Sequence, residues 1–288
     1  MIIVTGVNGQ LGRGIVEQLL VRVPAEQIGV SVREPEKAQQ LQQRGVRVRR
    51  GDYDDPASLA EAFEGAEQVL IVSSNTSGEV TVRQHRAAID AARQVGARRI
   101  LYTSHAGSSP NSLFSPMVDH AATEEALQNS GVAFTSLRNG FYATTTLMLL
   151  GNAVQTGELV APEDGPVAWT THADLAEVTA IALSKEGSLD GLTPPLTASE
   201  AIDLEGIAAI AAELAQRPIR RIIVPDAKYQ AELVAHGLPV ERADMLLGIF
   251  RASRRGEFTR VDPTLARLIG RPPVFLRDVL KAAISPAG

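Results

Sequence analysis

The chain has 288 residues, of which 44% are hydrophobic and 21% charged, with a formal net charge of −5 and no cysteine. That length suits one large domain or a nucleotide-sized domain with an appendage, and the composition is that of a globular protein. Disulfides, thiolate nucleophiles and Cys-ligated metal centres are excluded, the net charge argues against a nucleic-acid surface, and no apolar stretch reaches the ~20 residues that span a bilayer.

Short apolar runs alternate with amphipathic stretches along the first half. Residues 2–4 predict a strand that runs straight into glycine-rich sequence, after which Ile15, Val16, Leu19 and Leu20 recur at helical spacing. Residues 28–32 predict the second strand; Pro35 opens a helix through Leu41 that halts at Gly45, and residues 46–49 alternate like an edge strand. Asp55-Pro56 reads as an N-cap with proline at the first helical position, and Gly65 as the stop. Residues 69–72 are apolar on both faces, as in a strand buried between helix layers. A helix over 79–95 ends at Gly96, a strand covers 99–103, a helix runs from Ser115-Pro116 to Asn129, and a sixth strand covers 132–137. Six strands alternating with five helices predict an α/β fold, a Rossmann-type doubly wound parallel sheet, because parallel neighbours need crossover connections.

After Gly140 the rhythm changes. Helices are expected over 141–150, 174–183, 204–216, 227–235, 240–252 and 275–284, with short strands at 158–160, 167–169 and 219–224. The expected organisation is a nucleotide-binding domain over 1–150 and a smaller, mostly helical substrate domain over 151–288, part of which returns to the sheet. Nothing at the N-terminus resembles a secretory leader, so the expected setting is cytoplasmic, without nucleic-acid or membrane partners.

The segment from Thr5 to Gly12 follows the first strand and opens the first helix. In such a loop Gly6 permits the tight turn, Gly9 lets the main chain approach a pyrophosphate, and Gly12 lets helix pack on sheet. Asn8, Gln10 and Leu11 complete the loop, and the helix N-terminus offers free N–H groups and a positive dipole to phosphates. This predicts a dinucleotide site. An NAD-preferring site places an acid at the end of the second strand, whereas this one ends in Arg33, with Lys37 a turn further on. A guanidinium suits a 2′-phosphate, so NADPH is the expected cofactor, with NADH open. Asp52 and Tyr53 after the third strand border either the adenine or a solvated turn. Ser73, Ser74 and Asn75 end the fourth strand and Thr103 and Ser104 the fifth, where small polar groups suit ribose and nicotinamide contacts.

These segments, together with Leu137-Arg138-Asn139-Gly140-Phe141-Tyr142, His120-Ala121-Ala122-Thr123-Glu124 and Trp169-Thr170-Thr171-His172-Ala173-Asp174, resemble the NmrA-like, atypical short-chain dehydrogenases. Within that group the chain is most similar to the type 2 NAD(P)H:quinone oxidoreductases, with the triphenylmethane reductases alongside. The better-known dehydrogenases of the wider group carry a Tyr-x-x-x-Lys pair on the fifth helix; here the matching positions hold His120 and Glu124. Losing that pair counts against ketone reduction, which needs a proton for the developing alkoxide. A quinone accepts hydride to give a delocalised phenolate, so the resemblance implies an NADPH-dependent reductase of quinones or similar conjugated aromatics, without flavin or metal. The candidate catalytic set is His120 and Glu124, four apart on one helix face, with Asn139 for the cofactor carboxamide and Tyr142 to stack on a flat acceptor. The same missing pair also fits a non-catalytic NADP-binding redox sensor. Monomer and homodimer are both compatible with the sequence, and the five histidines show no metal-ligand spacing.

Overall fold

Strands sandwiched between two helix layers have no wet face, and the sequence supplies such strands as unbroken apolar runs. The computed structural model, which describes residues 1–284, shows this directly. Strand β1 (Ile2–Thr5) and strand β2 (Ile28–Val32) are buried along their whole lengths, whereas β3 (Arg47–Arg50) is partly exposed. Strand β4 (Gln68–Ile71) is again fully buried, followed by β5 (Arg99–His105) and β6 (Ala133–Asn139). A seventh strand, Gly191–Leu192, pairs with β6. The sheet order is Gly191–Leu192, β6, β5, β4, β1, β2, β3, with every neighbour parallel. Ile2 stands opposite both Ile28 and Gln68, so β1 is the strand from which the chain winds outward in both directions. That reversal opens a crevice at the carboxyl ends of β1 and β4, where such sheets bind ligands.

The helices connecting these strands are α1 (Gln10–Leu20), α2 (Gln39–Gln43), α3 (Pro56–Phe63), α4 (Glu79–Gln94) and α5 (Ser115–Gln128). On one face, Ile3, Val69, Ile71, Ile100 and Tyr102 form a single buried cluster with Leu59 and Phe63 of α3, Ala88, Ile89 and Ala92 of α4, and Leu127 of α5. Along β4 and β5 these are alternate residues, as the two-residue pleat requires. Elsewhere α1 packs against the helix His172–Ser184, so closely that a Cβ at Gly14 would lie 3.1 Å from that of Ala176. Asp55 caps α3 as expected, its carboxylate accepting from the Ser58 N–H.

Two local differences from the sequence expectation have clear causes. The predicted helix from Pro35 is a 3₁₀ turn over Pro35–Ala38 followed by α2, with Lys37 N–H bonded to Glu34 O. The seventh strand has only two paired residues, and Arg99 ties the segment just before it to the sheet. That buried guanidinium donates to Thr135 Oγ1 at 2.7 Å, and to the carbonyls of Ala182 at 2.9 Å and Leu189. Two residues placed by long-range contacts leave no periodic signature.

The chain forms two compact units that are interleaved in sequence. The sheet unit comprises Met1–Pro110, Pro116–Asn139 and His172–Leu196; the second comprises Asn111–Ser115, Gly140–Thr171 and the residues from Thr197 onward. In the second unit, strand Glu158–Ala161 pairs in parallel with Arg220–Ile223, and helices Leu204–Ala215, Asp226–Ala235, Val240–Arg254, Thr264–Ile269 and Leu276–Ile284 dominate. The helix expected over 141–150 begins only at Thr145. Phe141–Tyr142 is instead a short strand pairing with Trp169–Thr170, and Phe141 packs in an aromatic cluster, 5.4 Å from Trp169 and 5.1 Å from Phe258 between ring centroids. Aromatic packing here overrides a helical pattern that continues only from Thr145. Asn139, expected just beyond the sixth strand, is that strand's last residue. Among the described residues no helix is long and apolar enough to cross a membrane.

Candidate functional site

The loop between β1 and α1 contains three glycines with three different constraints. Gly6 has φ +66°, a left-handed conformation, and a Cβ there would meet Val72 Cβ at 2.9 Å. A Cβ on Gly12 would lie 2.4 Å from the carbonyl oxygen of Gly6, a backbone atom that cannot swing aside. Gly9 differs: its Cβ would find only Gly6 O, at an ordinary 3.4 Å, and its φ of −87° is open to any residue. Protein packing therefore accounts for Gly6 and Gly12 but leaves Gly9 as exposed space over a helix start. Gly9 is also the N-cap of α1 without any side-chain cap, and no acid lies in the first turn. Asn8 and Gln10 are exposed there, while Leu11 anchors the turn in the core. By contrast the starts of α3 and of Leu204–Ala215 are capped by Asp55 and Asp203. An uncapped N-terminus with no covering side chain is suited to an anion.

Arg33 follows β2 directly and is exposed, and no carboxylate among the described residues lies within ion-pair distance of it. Lys37 is held by Glu34 at 2.7 Å. Between this segment and α1 lies a cavity of about 460 Å³, bordered by Val7, Asn8, Arg13, Lys37 and Arg44. Asp52 sits in a turn, accepting from the Asp54 N–H and donating its own N–H to Ser58 Oγ. Tyr53 ties two strand ends together, its hydroxyl 2.6 Å from Thr5 Oγ1 and donating to Val72 O at 2.8 Å.

Past β4 and β5 the small polar residues are largely engaged with the protein itself. Thr103 Oγ1 accepts from the Ser73 N–H at 2.9 Å, Ser74 Oγ pairs with Thr76 Oγ1, and Ser104 Oγ donates to Glu124 Oε1 at 2.8 Å. Asn75 is exposed.

Glu124 and His120 share the inner face of α5 but bind different partners. The Glu124 carboxylate receives a two-pronged contact from Arg138, at 3.0 Å and 2.7 Å, and accepts from Ser104, Ser108 and Ser136. Burial pushes this carboxyl up, but the hydrogen bonds and charge of Arg138 with the bond from Ser104 outweigh it and hold the group below the ordinary glutamate range. His120 Nδ1 lies 2.7 Å from the Tyr102 hydroxyl, and its ring is stacked 6.2 Å from His105. Tyr102 in turn lies 3.4 Å from Nδ1 of the fully buried His85. Burial lowers His85 and His105 to about 3 and His120 to about 4, with neighbouring His120 lowering the first two further and Glu124 partly raising the third. All three imidazoles are therefore neutral at physiological pH.

Asn139 closes β6 beside His105, to which it is register-paired. It is 1% exposed, its carbonyl accepts from the Ala106 N–H, yet among the described residues neither Oδ1 nor Nδ2 of its amide meets a protein partner. A buried amide with donor and acceptor both unpaired is costly unless a water or a ligand pairs with it. The half-buried Tyr142 belongs to the second unit, and burial pushes its phenol up to about 12.

Comparison with known proteins agrees with this geometry. Residues 6–186 match the NAD(P)H-binding family model. Quinone oxidoreductase 2 of Escherichia coli is 37% identical over 281 residues, covering 96% of each chain. An NmrA-like family domain-containing oxidoreductase of Aspergillus flavus is 30% identical, covering 97% of this chain and 93% of its own. A crystal structure of an NADPH-dependent quinone oxidoreductase from E. coli, complexed with NADPH, superposes with a TM-score of 0.93 at 34% identity, over 99% of this chain and all of that one. The chain belongs to the NAD(P)H-binding, NmrA-like family.

For a member of this family, the residues present fit a dinucleotide. The bare helix start at Gly9, the unpartnered Arg33 and the orphaned Asn139 amide each offer what a phosphate or a carboxamide requires. The sequence reading missed Tyr102 and His85. A signal for His85 existed: it lies on the apolar stripe of α4 with Ala88, Ile89 and Ala92, where a histidine must find buried partners. Tyr102 has no local signal, because its contact with His120 spans two separate elements.

Proposed function

We propose that this NmrA-like protein is an NADPH-dependent oxidoreductase that passes hydride to a quinone or a related conjugated aromatic acceptor. The observation that carries the reading is Asn139, a buried amide with both polar atoms unpaired at the carboxyl end of β6. A carboxamide is the ligand group that satisfies a donor and an acceptor on one planar amide, and nicotinamide carries one. The Gly9 N-cap and the N–H groups of the first turn of α1 would hold the pyrophosphate, and Arg33 the 2′-phosphate. When bound, the cofactor supplies the hydride; the chain orients the ring and stabilises charge on the acceptor.

The acceptor class follows from what α5 provides. It holds no Tyr–Lys proton donor, and Glu124 is an ionised carboxylate committed to Arg138. His120 is a neutral imidazole. A neutral N–H can bond a developing oxyanion, which is enough for a delocalised quinol anion and poor support for an isolated alkoxide. The named activities of the relatives, quinone reduction with NADPH, support the same class. A cytoplasmic site of action fits this cofactor supply. The test is turnover of a quinone panel with NADPH and NADH. Loss of reduced-nicotinamide absorbance with quinones, faster with NADPH, is expected; turnover restricted to simple ketones would refute the assignment.

A further inference from the structure

The tautomers of His85 and His120 can be read from their partners. The main-chain N–H of Ser74 donates to His85 Nε2 at 2.9 Å. An amide N–H only donates, so Nε2 carries no proton, and in this neutral buried ring the proton sits on Nδ1. His85 Nδ1–H points to Thr123 Oγ1 at 2.9 Å and, further off, to the Tyr102 oxygen at 3.4 Å. Thr123 passes its own hydrogen on to the carbonyl of Asp119 at 2.9 Å. The Tyr102 oxygen thus faces His85 Nδ1–H, with Thr123 and Ser73 also within its reach, and its hydroxyl hydrogen goes to its closest partner, His120 Nδ1 at 2.7 Å. His120 Nδ1 is then an acceptor, and the proton of the neutral ring lies on Nε2.

We infer that His85 and Tyr102 are positioning residues that lock His120 as the Nε2–H tautomer, a one-way hydrogen-bond donor to the oxygen of the bound acceptor. This role rests on the hydride-transfer reading above. The overall reaction balances as quinone, NADPH and one proton giving hydroquinone and NADP⁺. Hydride addition leaves a hydroquinone monoanion, and His120 Nε2–H stabilises its charge without giving up the proton. Donating it would form an imidazolate or draw the proton from Tyr102, whose phenol burial already pushes far above the ordinary value. Water therefore supplies the proton. A neutral imidazole held in one tautomer is an effective electrophile because it needs no reorganisation as charge develops. The other titratable groups facing His120 are Glu124 on its own helix, and His105 and Tyr102 on β5, with His85 of α4 behind Tyr102.

Long-range proton–nitrogen correlation spectra of the full-length protein, labelled at histidine nitrogens, read tautomers directly between about pH 5 and 8. His85→Gln and His120→Gln assign the signals. The expected result is Nδ1–H for His85 and Nε2–H for His120, with Tyr102→Phe leaving His85 unchanged, mixing the His120 tautomers, and lowering kcat about tenfold with KM for NADPH unchanged. His120 found as Nδ1–H in the unmodified protein overturns the assignment, whether or not the variants fold. Full kcat in Tyr102→Phe despite a mixed tautomer overturns the positioning role. The expected tautomers in a protein that reduces no quinone would instead refute the hydride-transfer reading, and the role with it.

Discussion

Replacing Gly9 and Gly12 separately by alanine distinguishes a glycine kept for the ligand from one kept for the fold. For Gly12→Ala the new Cβ would lie 2.4 Å from Gly6 O and 2.7 Å from Gly6 C, so the loop or the helix must move. Overpacking of this kind costs typically 1–3 kcal/mol, and the loop geometry goes with it. For Gly9→Ala the nearest protein atom is 3.4 Å away and φ is −87°, so no strain arises. Two small terms oppose each other there: alanine is a poorer N-cap than glycine, and it loses less chain entropy on folding, each by roughly 0.5–1 kcal/mol. Stability of Gly9→Ala should therefore stay within about 1 kcal/mol of the unmodified protein. Its methyl, however, occupies the space over the α1 N-terminus. Displacing one charge-assisted N–H to phosphate bond loses about 1.5–3 kcal/mol, or roughly 10- to 150-fold in Kd. Thermal unfolding without cofactor, paired with NADPH titration calorimetry, separates the two. If Gly9→Ala binds NADPH as tightly as the unmodified chain, no phosphate approaches Gly9 and the reasoning fails.

Arg33→Ala should weaken NADPH roughly 10- to 100-fold while leaving NADH nearly unchanged, since only the former carries the 2′-phosphate; equal losses in competitive binding would exclude that role. Glu124→Gln leaves the Arg138 guanidinium, 28% exposed, without its carboxylate, and should destabilise by roughly 2–4 kcal/mol in denaturant unfolding near neutral pH. Because the Glu124 pKa is depressed in the fold, its contribution is complete above the unfolded value and fades as pH falls through the folded one, so the variant's deficit should shrink in acid. A deficit that persists unchanged there would contradict the ion-pair account. The histidines add a second acid effect: His85, His105 and His120 are held neutral down to about 3, 3 and 4. Their unfolded forms take up protons from about pH 6.5 downward, so stability should decline by up to about 1.4 kcal/mol per pH unit for each of them below that point. Equal unfolding free energies at about pH 7 and pH 5 would show that these rings protonate freely in the fold.

The central strands were legible because burial on both faces writes itself as an unbroken apolar run, as in Val69, Leu70 and Ile71, the edge strand β3 by its alternation, and helix ends because Asp55-Pro56 and Gly96 mark them chemically. The Gly191–Leu192 strand was not, because it has only two residues and its contacts, with β6 and through Leu189 with Arg99, are long-range. The Phe141–Tyr142 strand was not, because its cause is the aromatic contact with Trp169. The same distinction holds at the site. The glycine loop is a contiguous motif and could be read off the chain. Four-residue spacing set His120 and Glu124 on one helix face, but their partners, Tyr102 on β5 and Arg138 on β6, are long-range and belong to the fold.

A single-turnover experiment tests direct hydride transfer from NADPH to a quinone. The protein is loaded with NADPH carrying deuterium at either of the two C4 positions, and mixed with excess quinone. One hydroquinone is expected per NADPH oxidised, at a rate slowed by deuterium at one C4 position and not at the other. NADPH that stays bound and unoxidised with every quinone would contradict it and favour a redox sensor.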